Sequence, residues 1–162
     1  DAWMRNYFKK ELGIDVFFEP KKFNINSKKF FIGHGDGLGP GDYGYKFLKL
    51  IFRNSFFKFL FSCIHPDISI RIGEYLSRKN SVISGKEIKF ESNEKELLFN
   101  YCKKILKSDH YNYFVFGHRH LPLKINLGNN SEYYNCGDWF NHYSYLDFTN
   151  SELTLKYFNP EI

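Results

Sequence analysis

The sequence predicts an α/β fold on three observations. Two apolar runs rich in aromatic and β-branched residues, 29–32 and 113–116, each stop at a glycine and read as strands. Between residues 47 and 106 the apolar positions recur at helical spacing instead. Beyond Tyr111 the chain breaks into short β-type segments with Asn-rich turns. A length of 162 residues suits one domain with a sizeable core, and 43% hydrophobic and 20% aromatic residues exclude a disordered chain.

Taken in order, Asp15 to Glu19 and Phe23 to Asn26 predict short strands, and Asn26-Ser27-Lys28 a turn into the strand Lys29 to Ile32. Gly33 to Gly44 is a glycine-rich loop. Phe47, Leu50, Ile51, Phe57 and Phe61 then mark a helix with a basic stripe of Lys46, Lys49 and Arg53. His65-Pro66-Asp67 breaks it and starts a second amphipathic helix, carried by Ile68, Ile72, Tyr75 and Leu76 and ending near Lys79-Asn80. The polar stretch 80–90 reads as a loop. Ser92-Asn93-Glu94-Lys95 opens a third helix through Leu106, with Leu97, Leu98, Tyr101, Cys102 and Ile105 inward. Strands follow at Tyr113–Gly117, Leu123–Leu127, Glu132–Cys136, Tyr143–Phe148 and Glu152–Phe158, with turns at Asn129-Asn130 and Asn150-Ser151.

No signal peptide is visible, because Asp1-Ala2-Trp3-Met4 is neither basic nor followed by an apolar stretch. The most apolar segment, Phe47 to Ile64, is interrupted by Lys49, Arg53, Asn54 and Lys58 and does not read as a membrane span. Cys63, Cys102 and Cys136 are odd in number, far apart and without a CxxC, which predicts free thiols in a cytoplasmic protein. The formal net charge is +5. All of that excess sits between Tyr43 and Lys79, where Lys46, Lys49, Arg53, Lys58, Arg71, Arg78 and Lys79 face only Asp67 and Glu74.

Chemistry concentrates at two strand ends. One carries Gly33-His34-Gly35-Asp36-Gly37, the other Gly117-His118-Arg119-His120. Either alone is an ordinary polar turn; two together, each directly after an apolar strand, point to imidazoles presented to metal by a rigid sheet edge. The candidate ligands are His34, His118 and His120. Alternate residues of an extended chain project to opposite sides, so His118 and His120 need a bend to share one ion, or a pair of ions about 3.5–4 Å apart. Three histidines cannot hold two ions, and carboxylates are required. Asp36 and Asp138 read as acceptors that orient an imidazole, or as plain turn residues. Cys136 is either a soft ligand or a buried structural thiol, and Trp139 a core or pocket-wall residue. His142 is placed to border the pocket, while His65 and His110 lie at helix or loop boundaries.

The order Gly-His-Gly-Asp, helical insert, Gly-His-x-His and Gly-Asp-Trp resembles the C-terminal part of the calcineurin-like metallophosphoesterases. It looks most like their UDP-2,3-diacylglucosamine hydrolase (diphosphatase) branch, through the His-Gly-Asp loop followed by Gly44-Tyr45 and the basic-aromatic insert with Arg53-Asn54. The resemblance implies a sandwich of two mixed sheets flanked by helices, one metallophosphoesterase domain over residues 1–162 with an insert at 43–80, and metals held by strand-end loops. It implies two divalent ions, Mn²⁺ foremost, with His34 and His118 on the second and His120 on the first. It also implies Arg53, Asn54 and Tyr45 as substrate contacts. The family's earlier metal motifs precede this region, and Asp1 would be the last residue of the third, orienting a catalytic neighbour. The expectation is therefore a chain without the N-terminal strands, inert alone, with one sheet short and an apolar edge exposed.

By the same resemblance the reaction is hydrolysis of the diphosphate of UDP-2,3-diacylglucosamine to lipid X and UMP in lipid A biosynthesis. The protein would be a monomer, cytoplasmic and peripheral on the anionic inner membrane of a Gram-negative bacterium. The insert suits an interfacial element or acyl-chain pocket, or else a helical pair that buries its Phe residues in the core. A phosphodiesterase or phosphomonoesterase of another substrate is the neighbouring reading. A basic module that only binds anionic surfaces is the non-enzymatic one. Nucleic acid is not an expected partner, because the positive charge lies on Phe-faced helices and not on a strand platform for stacking bases.

Overall fold

A computed structural model describes residues 5–38, 43–84, 92 and 96–159, and the chain forms two compact units, 1–18 with 41–89 and 19–40 with 90–162. The first is helical: α1 (Arg5–Leu12), α2 (Tyr43–Arg53), α3 (Ser55–Ser62) and α4 (Pro66–Ser84). The insert expected over 43–80 falls inside it. The helix α1 was not expected from the sequence. Gly13, at φ 66°, ends it, and the Ile14 amide turns back to the Phe8 carbonyl at 3.0 Å. Asp15 to Glu19 is irregular, not the strand its alternation suggests.

The single helix expected from Phe47 to His65 is two helices. Asn54 takes an extended conformation, and its side-chain oxygen accepts the Phe56 amide at 2.8 Å, so it caps α3 where a helix interior would exclude it. Pro66 starts α4 as expected, but the helix continues to Ser84, past the loop predicted from residue 80. No described helix is long and apolar enough to cross a membrane.

The second unit is a layered α/β arrangement. Its larger sheet has the order β1-β2-β3-β5-β4. β1 (Lys21–Ile25) runs antiparallel to β2 (Lys28–Ile32) through a turn at Asn26 and Ser27, both at positive φ. β2 is parallel to β3 (Tyr113–Phe116) and β3 to β5 (Ser131–Cys136), while β4 (Pro122–Gly128) closes the far edge antiparallel. β6 (Ser144–Thr149) and β7 (Glu152–Tyr157) form an antiparallel pair, the small second sheet of an α/β arrangement whose five-stranded sheet is mixed, in keeping with the expected fold.

Alternation along the central strands explains the layering. Phe31, Phe114, Phe116 and Tyr133 face one side, where they pack with Leu98 and Cys102 of α5 (Leu97–Leu106). Phe30, Tyr113 and Tyr134 face the other, against Leu146, Phe148, Leu153 and Leu155 of the second sheet. Strands covered on both faces read as continuous apolar runs, which is why Phe30-Phe31-Ile32 and Tyr113-Phe114-Val115-Phe116 show no polar residue. Leu97 is exposed, because the inward stripe of α5 runs through Leu98 and Cys102, a quarter-turn away. Phe114 is fully buried at the middle of this packing. Replacing it with alanine should cost about 3–5 kcal/mol in urea denaturation. The exposed Phe59→Ala change should stay within about 0.5 kcal/mol of the parent.

Candidate functional site

The parallel pairing of β2 with β3 continues past both strand ends. The Gly33 amide donates to the Val115 carbonyl and the Gly117 amide to the His34 carbonyl, each at 3.0 Å. Gly33 is backed by Pro20, where any Cβ would sit 2.9 Å from the proline ring. The two Gly-His motifs are thereby held side by side, and the His34 and His118 rings lie 5.2 Å apart between centroids, edge to face. Both side chains are exposed.

The bend that His118 and His120 require is present. His118 has φ 62° and His120 φ 51°, both left-handed conformations that non-glycine residues seldom adopt. The Arg119 amide donates to the Gly117 carbonyl at 2.7 Å, closing a three-residue γ-turn with His118 at its apex. Beneath the turn, the buried Asn135 at the end of β5 donates its amide group to the Gly117 carbonyl and accepts the Gly137 amide at 3.1 Å. Arg119 reaches Glu96 at the start of α5, with 3.3 Å between guanidinium and carboxylate.

Asp138 is the third anchor. One carboxylate oxygen accepts the amides of Phe140, Asn141 and His142 at 3.0, 2.6 and 3.1 Å. The other faces the Nδ1 of His142 at 3.1 Å and the Nδ1 of His120 at 3.9 Å. Burial alone would raise its pKa, but the amides of Asn141 and His142, the His142 ring and the Phe140 amide outweigh it and hold the carboxyl well below the usual range. Asp138 thus both closes the local turn through three backbone amides and faces the rings of His142 and His120.

The other predicted residues fall as follows. Asp36 lies half-buried in the loop after β2. Cys136 has its pKa raised by burial, which disfavours the thiolate a soft ligand needs. Trp139 is exposed and packs against Tyr143, Tyr145 and Phe158. His110 is bonded to the Asn129 carbonyl and His65 faces Asp67, so neither is drawn to the Gly-His loops. Arg53, Asn54 and Tyr45 belong to the helical unit. Arg53 donates to the Phe18 carbonyl at 2.9 Å and lies 4.9 Å from the Phe18 ring centre, Asn54 caps α3, and Tyr45 lies in α2. Asp1 lies outside the described residues. Sequence reading missed Glu96 and Asn135, because a contact between distant segments leaves no local pattern.

Imidazole nitrogens suit Mn²⁺, Fe²⁺ or Zn²⁺, and the paired rings of His34 and His118 fit part of such a shell. Among the described residues no group of three or more His, Cys, Asp or Glu side chains converges as a complete metal site.

No family model matches the chain. It is similar to curated proteins named UDP-2,3-diacylglucosamine hydrolase: 26% identical to that of Porphyromonas gingivalis, 29% to that of Wigglesworthia glossinidia brevipalpis and 23% to that of Shewanella baltica strain OS223. Each similarity covers 96% of this chain, and the chain spans 60–64% of the length of these relatives.

The depressed Asp138 carboxyl has a consequence for acid stability. The folded chain binds that proton more weakly than the unfolded chain, whose value is near the ordinary 3.8. Its contribution is therefore complete above about pH 5 and lost as pH falls through and below the unfolded value. Urea midpoints measured from pH 6 down to pH 3 should fall less steeply for Asp138→Asn than for the parent.

Proposed function

We propose that this chain, which belongs with the UDP-2,3-diacylglucosamine hydrolases among the calcineurin-like metallophosphoesterases, is the larger part of an enzyme that hydrolyses the diphosphate of UDP-2,3-diacylglucosamine, yielding lipid X and UMP. The observation that carries this reading is the convergence of two Gly-His motifs on neighbouring parallel strands, in a chain similar to those hydrolases over 96% of its length. His34 and His118 would hold one divalent ion and His120 a second, with Mn²⁺ the first candidate. When bound, such ions supply Lewis acidity toward the phosphoryl oxygens. The protein's own task is to fix the imidazoles: β2 and β3 set the spacing of His34 and His118, and Asp138 accepts from the ring side of His142 and faces His120.

The lipid part of the substrate rests on the helical unit. Phe47 is 65% exposed and Phe56 and Phe59 are each 66% exposed, on helices that also carry Lys46, Lys49 and Lys58. No residue of α3 is buried. That favours an interfacial or acyl-binding role over helices that bury their Phe residues, since exposed apolar surface rimmed by lysines suits anionic lipid at about 1 kcal/mol per basic residue. We take the protein to act on the cytoplasmic face of a membrane as a peripheral monomer.

The full-length protein should release UMP from UDP-2,3-diacylglucosamine with Mn²⁺ present, and chelation should abolish the reaction. His34→Ala and His118→Ala should each weaken Mn²⁺ binding and lower kcat/KM at least about a hundredfold. Equal turnover of a water-soluble diphosphate ester would instead favour a phosphoesterase without lipid specificity. The 162 residues alone should release no UMP.

A further inference from the structure

Glu96 is 2% exposed, yet its side chain makes no cap to its own helix α5. Instead its carboxylate meets the guanidinium of Arg119, which is itself only 26% exposed and stands between the two histidines of the second motif. The backbone of that motif is the most irregular part of the site. His118 and His120 are both left-handed, and the γ-turn at His118 is a strained form that surrounding structure has to enforce. Asn135 fixes one end of the turn, through the Gly117 carbonyl. Arg119 is the residue that can fix the other.

The pair sits in a buried setting. Burial raises the pKa of both Tyr133 and Cys102, and the negative charge of Glu96 adds to the rise in each. Among the described residues, Oε1 of Glu96 and Nε of Arg119 are buried without hydrogen-bond partners. The two charges face each other at 3.3 Å, and separating them would leave a buried carboxylate without that partner. An exposed ion pair would hold the turn weakly; a buried one ties its geometry to the position of α5.

We infer that Glu96 and Arg119 are positioning residues that hold the strained His118–His120 turn in its metal-presenting form. This rests on the reading of His118 and His120 as ligands. Neither residue touches the metal or substrate in this role; they act through the backbone between the two imidazoles. Residues that orient ligands typically change metal affinity about 10- to 100-fold when replaced.

The test uses the full-length protein with Glu96→Gln, Arg119→Gln and the milder Arg119→Lys. Mn²⁺ affinity is measured by titration calorimetry, kcat and KM at limiting and saturating Mn²⁺, and protection of the Arg119 amide by hydrogen exchange in metal-free protein. Glu96→Gln and Arg119→Gln should weaken Mn²⁺ binding about 10- to 100-fold. Both should recover most of kcat at saturating Mn²⁺ with KM for substrate unchanged, and both should lose Arg119 amide protection. Arg119→Lys, which keeps the charge but not the fork, should fall between, and decides the matter where the other variants fail to fold. Folded variants with parental Mn²⁺ affinity and parental amide protection would overturn the inference. A parent whose Mn²⁺ affinity is unchanged by His118→Ala would instead overturn the ligand reading, and the amide protection would then decide the positioning role alone.

Discussion

The parallel pairing of β2 with β3 is the constraint on which the candidate site depends. Phe30, Phe31 and Ile32 lie opposite Tyr113, Phe114 and Val115, and the ladder runs on through Gly33 and Gly117 into the two histidine loops. A slip of one residue would turn every side chain to the opposite face and put Phe31 and Phe114 against the wrong layer. Because both faces are buried, that slip is prohibitive. The core therefore sets the distance between His34 and His118, which are eighty-four positions apart in the chain.

Above that rigid base the site becomes strained and polar. His118 and His120 occupy left-handed backbone, and three supports converge on their turn: Asn135 on the Gly117 carbonyl, Glu96 on Arg119, and Asp138 facing His120. The supports come from three different elements, α5, β5 and the loop after β5. Strain of this kind persists only when its surroundings over-determine it. The polar groups are also buried where an unsatisfied partner is costly, so each support is coupled to the packing around it.

Much of this was legible in the chain. The apolar runs gave β2 and β3 because strands buried on both faces need no polar alternation, and Asn26-Ser27, Asn129-Asn130 and Asn150-Ser151 gave the hairpins because all six residues adopt positive φ. The Gly-His motifs gave the strand ends. What failed had physical reasons. Asp15 to Glu19 alternates like a strand, but pairing with β2 starts only at Lys21, after Pro20, which has no N–H to extend the ladder beyond Ile32. The apolar spacing on both sides of Asn54 reads as one helix, while Asn54 in an extended conformation divides it and caps α3. The helix α1 lacks a strong apolar stripe, and Glu96 and Asn135 gain their roles only from tertiary contact.

The helical unit carries a different lesson about apolar residues. Helical spacing of Phe and Leu is usually evidence of a core, yet α3 buries none of its residues and Tyr43, Phe47, Phe56, Phe57 and Phe59 stand in solvent. Water penalises that exposure by about 25 cal/mol for each Å² of apolar surface. A sequence that keeps Phe56, Phe57 and Phe59 beside Lys58, and Phe47 and Leu50 beside Lys46 and Lys49, combines an apolar surface with a positive rim. Under the lipid reading proposed above, an anionic amphiphile would use both halves of the pattern at once. α2 and α3 carry Lys46, Lys49, Arg53 and Lys58 and no acidic residue, so positive charge and apolar exposure fall on the same two helices.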